Sequence, residues 1–399
     1  MSLELSQKAL KIKPSSTMAI TELAKQMKAE GKDIISFSAG EPDSRTPEHI
    51  SEAAKKAIDD GLTKYTAASG LMELKQAVAG KFLSFNHLKY EPEQIVISNG
   101  GKHSLSNVFT AILNESDEVI IPAPYWVTYS ESAKLAGGVP VIVTTKKENA
   151  YKLTAEEFET VCTKKTKALV LNSPNNPTGM VYTRKELEEI AKIAVAHDIY
   201  VVADEVYEYL CYEGAEHISI ASLNDEIYKR TITVSGLSKG YSMTGWRIGY
   251  TGSSLEIAKL MGSIQSQQTS NPNTIAQIAS IEALTGDQSE VELMKTAYNK
   301  RRKYLCSRIQ EVPGLSCIEP QGAFYVFVDI SDFLGKEYKG QQINAAADFA
   351  RILLEEYSVA VIPCEEFGFD DHFRISYSVS MEEIETGMER IKEYCESLT

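Results

Sequence analysis

The sequence predicts a two-part α/β protein: a large domain with a mostly parallel central sheet and a smaller α+β domain. Three observations predict it. Short Val- and Ile-rich runs alternate with amphipathic helical stretches over residues 94–250, as expected of strands covered by helices on both faces. Gly, Asn, Asp and Lys residues fall at the ends of several of these runs, where an open parallel sheet places its ligands. Beyond Gly286 the pattern changes to two helical stretches enclosing three further apolar runs. A length of 399 residues accommodates two or three domains and a large core.

Gln94–Ser98 is the first strand candidate of the large unit, followed by Asn99-Gly100-Gly101 and a helical pattern over 102–113. Glu118–Ile121 is a second run, and Val139–Val143 follows a Gly-Gly turn. Lys167–Asn172 leads into a Pro/Asn/Gly loop, Ile199–Ala203 ends at Asp204, and Thr231–Val234 ends shortly before Lys239. Arg247–Tyr250 is a further short candidate. In the late region, 295–309 and 380–396 read as amphipathic helices around Ala323–Asp329, Val359–Ile362 and His372–Ser376. The expected division is 1–45 as an N-terminal arm with part of the small domain, 46–286 as the large domain, and 287–399 as the C-terminal small domain.

Composition narrows the function classes. Hydrophobic residues are 43% and charged residues 24%, ordinary for a globular protein. A formal net charge of −14 argues against a nucleic-acid surface but leaves room for a small anion in a cleft where a few cations converge. The six cysteines, at 162, 211, 306, 317, 364 and 395, form no C-x-x-C pair and read as thiols in a reducing compartment. The six histidines show no zinc-ligand spacing, so no metal is expected. The N-terminus is too polar for a signal-peptide core, and no run reaches the 18 or more apolar residues of a membrane span. Cytoplasm is the expected location, with no membrane partner.

Five places carry chemistry. Gly100-Gly101-Lys102 opens a helix directly after a strand, either as a tight turn or as a phosphate site built from free N–H groups and the helix dipole. Ser173 to Gly179 (SPNNPTG) is a proline-stiffened loop with two amides able to donate to an oxygen anion. Asp204, at the mouth of a buried strand with Tyr207 three residues on, either caps the next segment or partners a protonated pyridine nitrogen. Lys239 lies among Gly, Ser, Tyr, Met and Trp, with one other charge, Arg247, in Ser235–Tyr250. A lysine partly desolvated beside a cation loses basicity and becomes a nucleophile. Arg247 suits bidentate contact with phosphate.

The stretch from Ser238 to Gly249 (SKGYSMTGWRIG) resembles the cofactor-lysine signature of class I pyridoxal-phosphate-dependent aminotransferases, and the branch resembled is that of bacterial aspartate aminotransferases. Asn175 to Gly179 (NNPTG), Asp204 with Tyr207, and Phe373-Arg374-Ile375-Ser376 occur in that family's order, as do Gly40-Glu41-Pro42-Asp43, Lys64-Tyr65 and Pro124-Tyr125-Trp126. The resemblance runs from about residue 12 to the end. It implies fold type I of the pyridoxal-phosphate enzymes, with residues 46–286 as the cofactor-binding domain.

By the same resemblance, Lys239 holds pyridoxal 5′-phosphate as a Schiff base and acts as general acid–base. Asp204 partners the pyridinium, Tyr207 and Asn176 donate to the phenolic oxygen, and Trp126 stacks on the ring. Gly101, the main chain of Lys102, Ser238 and Arg247 form the phosphate cup. Tyr65 reaches the phosphate of a neighbouring subunit, which implies a homodimer with shared sites. Arg374, with Asn176 and the Gly40 backbone, clamps the substrate carboxylate. The side chain of Lys102 and Thr17 are associated with a distal carboxylate, so an L-amino acid, foremost aspartate, and a 2-oxo acid, foremost 2-oxoglutarate, are the expected substrates of a ping-pong transfer.

Ser44-Arg45 departs from the usual pattern near the expected substrate entrance. Aromatic, alanine or prephenate specificity, and a C–S lyase, decarboxylase or cyclopropane-forming synthase on the same fold, are the alternatives. A nicotinamide reductase lacks its G-x-G-x-x-G here, and a regulatory relative lacks its appended basic segment.

Overall fold

The computed structural model describes residues 4–10, 12 and 16–399. A helix (Ser16–Ala29) precedes strand β1 (Ile35–Ser36), and the helices Glu48–Asp59 and Met72–Asn86 lead into the main sheet. Its seven strands are β2 (Ile95–Ser98), β3 (Glu118–Ala123), β4 (Val139–Thr144), β5 (Thr166–Asn172), β6 (Tyr200–Asp204), β7 (Thr231–Gly236) and β8 (Gly249–Gly252). They lie in the order β2-β8-β7-β6-β5-β3-β4. The pairs β4–β3, β3–β5, β5–β6 and β6–β7 are parallel, while β8 runs antiparallel to both β7 and β2. The large, mostly parallel central sheet is the one the sequence predicts.

Both faces of this sheet are buried. Val119 and Ile121 enter one core with Val170 and Val202, whereas Ile120, Leu169, Leu171 and Val201 enter a separate core on the opposite face. Alternate residues of one strand thus feed two cores, which is why the strands read as continuous apolar runs. The covering helices begin where side chains satisfy their free N–H groups: Thr183 and Glu186 form a reciprocal capping box on the helix Arg184–Ala196.

In the C-terminal region β9 (Ser316–Cys317), β10 (Tyr325–Asp329), β14 (Ile362–Pro363) and β15 (His372–Ser376) form an antiparallel sheet in the order β14-β15-β10-β9. A hairpin joins β11 (Glu337–Tyr338) to β12 (Gln341–Gln342), and β13 (Val359–Ala360) pairs in parallel with β1. The helices Ser289–Gln310, Ala346–Tyr357 and Met381–Glu396 pack a third core against these strands.

Three sequence expectations shift. The run Arg247–Tyr250 is not a strand from its start: Arg247 has φ 59°, and β8 runs over Gly249–Gly252, antiparallel to its neighbours. The run Ala323–Asp329 starts two residues late because Ala323 has φ 57°, a conformation that ends extended pairing. The run Val359–Ile362 divides at Val361 between two different sheets, so one apolar stretch serves two partners.

Candidate active site

A cleft of about 680 Å³ opens at the carboxyl ends of β6 and β7 and reaches the C-terminal sheet. It is lined by Gly40, Gly101, Lys102, Trp126, Asn176, Asp204, Tyr207, Ser238, Lys239, Arg247 and Arg374. Residues from both ends of the chain therefore share one wall system, with Lys239 and Asp204 both facing it.

Lys239 follows β7 by three residues. Its ammonium donates to the Gly40 carbonyl and lies 5.9 Å from the Tyr207 ring centroid and 5.7 Å from that of Phe324. Burial, then the Arg374 guanidinium and, more weakly, Arg247, press its pKa down to about 8, with Glu41 and Asp204 opposing them. The amine is therefore partly neutral near neutral pH, as a nucleophile or general base must be.

Asp204 closes β6 and is 4% exposed. The Tyr129 hydroxyl donates to its Oδ2 at 2.7 Å and the Val206 N–H to its Oδ1 at 3.2 Å. Burial raises its pKa to about 6, and those two donors limit the rise. A cation placed beside it favours the ionised form, which is what a protonated ring nitrogen would supply. Tyr207 is buried against Tyr325, their hydroxyls 2.9 Å apart. Burial, then Tyr325, keeps the Tyr207 phenol protonated and hence able to donate.

Arg374 lies in β15, 3% exposed, with its guanidinium carbon 4.3 Å from the centroid of Tyr325. It donates to Asn176 Oδ1 at 2.9 Å and to the Ser38 carbonyl at 3.3 Å, while its buried Nε has no partner. An unpartnered buried guanidinium N–H is expensive unless something anionic meets it. Asn176 accepts through its oxygen, and its backbone N–H donates to Asn172 Oδ1 at 2.9 Å. That orientation leaves the Asn176 amide nitrogen as the donor side.

The helix Gly101–Ile112 supplies the anion cradle. Its first two N–H groups, of Gly101 and Lys102, precede the first intrahelical bond, which His103 makes to the Gly100 carbonyl. Gly100 has φ 89°, and a Cβ there would run into the Arg247 guanidinium. Only glycine lets arginine and helix start share that space. Arg247 is held by the Thr244 carbonyl at 2.8 Å, and Ser238 lines the same pocket. The residues present thus fit a phosphorylated pyridine aldehyde: a cradle for phosphate, an acid for the ring nitrogen, a soft amine for the aldehyde.

Lys102 borders the cleft with its ammonium 5.1 Å from the Trp126 ring centroid. Partial desolvation and then Arg247 lower its pKa. Two candidates stand apart from this cavity, and a third lies outside the described side chains. Tyr65 is 90% exposed and does not line it. Arg45 is exposed and does not line it either. Thr17 falls in the helix Ser16–Ala29, but its side chain lies outside the described residues.

Sequence reading missed Tyr129, Tyr325, Ser38 and Glu41. Tyr129 carried a signal, one helical turn beyond Trp126. Tyr325, 118 residues from Tyr207, carried none.

The model of the family "Aminotransferase class I and II" matches residues 32–391. Among curated proteins, an aspartate aminotransferase of Bacillus sp. (strain YM-2) is 48% identical over 98% of each chain. An aspartate/prephenate aminotransferase of Cereibacter sphaeroides is 45% identical over 99% of each. Among solved structures, the aspartate aminotransferase of Thermus thermophilus with maleate superposes with a TM-score of 0.93 at 42% identity, covering 98% of this chain and 100% of that one.

Proposed function

This chain belongs to the class I and II aminotransferase family, and from that premise we propose that it transfers the amino group of L-aspartate to 2-oxoglutarate through Lys239. It is a pyridoxal-5′-phosphate-dependent aminotransferase. The observation that carries the residue assignment is the meeting of Lys239, Asp204 and Arg374 around one cleft.

Pyridoxal 5′-phosphate, when bound, supplies the electron sink for the pair released at the substrate Cα. The protein's own groups do the rest. Gly101, the Lys102 N–H, Ser238 and Arg247 hold the phosphate. Asp204 keeps a proton on the ring nitrogen, and Tyr207 and Asn176 donate to the ring hydroxyl oxygen. Trp126 covers one ring face. Arg374 grips the substrate α-carboxylate, which Asn176 and the Gly40 backbone help to place, so the Cα–H bond points at Lys239. With the cofactor bound, the Lys239 amine would serve as the base that takes the Cα proton and the acid that gives it back. A second 2-oxo acid runs the sequence backwards, giving ping-pong kinetics.

Dicarboxylate preference is supported by Lys102 at the cleft margin and by the similarity to an enzyme solved with maleate, a four-carbon dicarboxylate. Thr17 is assigned to the same distal carboxylate. The exposed Tyr65 suits a role at the phosphate of a partner, and the active form is a homodimer with shared sites. Among the described residues no helix is long and apolar enough to cross a membrane. Six free cysteines suit a reducing compartment, and the cytoplasm is the proposed location.

The test is turnover of aspartate with 2-oxoglutarate by purified protein. Oxaloacetate and glutamate are expected in equal amounts; no oxaloacetate above blank removes the assignment. Relatives named for prephenate as well as aspartate favour including prephenate as a second acceptor in the same assay.

A further inference from the structure

The residues between β6 and Leu210 form no helix. Two turn bonds order the backbone within it, Glu208 N–H to the Glu205 carbonyl at 2.9 Å and Leu210 N–H to the Tyr207 carbonyl at 2.8 Å, and one backbone bond, Glu205 N–H to the Val234 carbonyl at 2.8 Å, ties its start to β7. Yet Asp204 and Tyr207 must face the cleft from this segment. Three residues apart in the same way, Glu205 and Glu208 face the opposite direction, into a buried polar cluster.

Glu208 Oε1 receives the Lys81 ammonium and the Ser235 hydroxyl, the latter at 2.5 Å, and Oε2 accepts from Asn86 at 2.8 Å. Glu205 accepts from Ser219 at 2.6 Å and Asn86 at 3.0 Å, and its Oε2 lies 3.1 Å from His217 Nε2. Lys81 also donates to Asn86 at 2.9 Å, and its ammonium is ringed by Phe82, Phe85, Tyr209 and Tyr250 at 5.0–5.8 Å. Burial pushes the Glu208 carboxyl up, but Lys81, His217 and Ser235 outweigh it and hold the carboxyl below its ordinary range. Glu205, Glu208 and His217 have the closeness of a cation site, and Lys81 brings its amine to Glu208 there; burial lowers the pKa of that amine, and Glu208 and Glu205 oppose the fall.

The cluster joins four segments, one of them the stretch that carries His217 and Ser219. Lys81 and Asn86 belong to the helix Met72–Asn86, Ser235 lies on β7 four residues before Lys239, and the two acids flank Asp204 and Tyr207. We propose that Lys81, Glu205 and Glu208 are positioning residues for amino transfer, clamping the 204–208 turn to β7 so that Asp204 stays in register with Lys239. This rests on the roles given above to Asp204 and Lys239. A buried pair broken on one side leaves a stranded charge that relaxes by moving backbone, whereas removing both charges together is tolerated.

The experiment uses cofactor-loaded protein carrying Lys81→Met, Glu208→Gln and the double change, with Asp204→Asn as reference, assayed well below each melting temperature. Readouts are kcat, KM for aspartate, and the midpoint of the bound cofactor's absorbance change with pH. Lys81→Met is expected to lose about tenfold or more in kcat, because an ångström-scale displacement is costly to positioned groups. Its KM stays near the parent's and its absorbance midpoint shifts. The double variant, in which the amide introduced by Glu208→Gln still reaches Asn86 and Ser235, regains kcat to within about threefold of the parent. If Lys81→Met does not fold, Ser235→Ala takes its place, since it removes one donor and strands no charge; a lowered kcat with a shifted midpoint is again expected. A folded variant with a lower melting temperature but parental kcat and midpoint would overturn the proposal, leaving the cluster a stability element. Parental kcat in Asp204→Asn would overturn the Asp204 assignment and the clamp together.

Discussion

At the residue scale, the amine of Lys239 sits where burial and Arg374 disfavour its charge, which brings its pKa to about 8. The protonated form dominates below that value and cannot attack an aldehyde. Capture of pyridoxal 5′-phosphate by the cofactor-free protein should therefore quicken by about tenfold per pH unit up to about 8 and then level off, whereas an ordinary lysine would keep climbing towards 10. Stopped-flow absorbance checks this, and a rate still rising steeply at pH 9 contradicts the depressed pKa. Lys239→Ala should lose both turnover and borohydride-stable cofactor attachment. Arg374 offers a second residue-scale prediction. Its Nε is unpartnered and its other nitrogens are held by Asn176 and Ser38, so Arg374→Ala removes the carboxylate grip and should weaken kcat/KM for aspartate by about 2–5 kcal/mol. An effect confined to kcat, with KM unchanged, would move Arg374 out of the substrate clamp.

At the element scale, the helix start at Gly101 and the strand β15 carry the proposed phosphate cradle and carboxylate clamp, and each depends on local backbone chemistry. β15 pairs with β10 over five residues in unbroken register, which fixes Arg374 opposite Phe327 and beside Tyr325. The following helix, Met381–Glu396, starts at Ser380, whose Oγ accepts from the Glu383 N–H at 3.1 Å while the Ser380 N–H donates back to Glu383 at 2.9 Å. Ser380→Ala should cost about 1 kcal/mol of stability by loss of this cap. Because the cap lies outside the cleft, kcat should stay at the parental value. Chemical denaturation reads the first quantity and the aspartate assay the second; a loss of activity without loss of stability would show that the cap acts on the site.

At the scale of the whole molecule, the cleft is made by two units. Asp204 ends a strand of the seven-stranded sheet and Lys239 follows another by three residues, while Arg374 and Tyr325 lie in the C-terminal sheet. Side chains tie the two together near the site: Tyr151 lies 2.8 Å from His372 Nε2, and Lys147 bonds Asp329 at 2.6 Å. Burial pushes His372 down, with Asp371 opposing, so the ring is neutral at ordinary pH and its contact with Tyr151 is an uncharged hydrogen bond. The exposed Tyr65, with Ile58 and Leu62 also exposed nearby in sequence, makes the assembly testable. Light scattering should give about twice the 44.1 kDa of one chain. Tyr65→Ala should then weaken cofactor retention without changing that mass; retention equal to the parent's would remove Tyr65 from the phosphate site.

The two-core alternation of Val119, Ile120 and Ile121, the strand ends at Asn172 and Asp204, and the glycine at 100 are properties of short stretches of chain. Local steric and hydrophobic periods write them into the sequence, so the parallel sheet and the strand-end residues were legible there, whereas Trp126, Ser238 and Arg374 were named from the family resemblance. Tertiary structure alone decided that β8 runs antiparallel, that β1 joins β13, that Tyr129 braces Asp204, that Tyr325 meets both Tyr207 and Arg374, and that Lys81 neutralises the acid beside Tyr207. Apart from the β7–β8 pairing, those contacts link residues 49 to 324 positions apart, and no periodicity of a single segment encodes which distant side chain will arrive. Packing the two units together settles it, by leaving each buried polar group one place to find its partner.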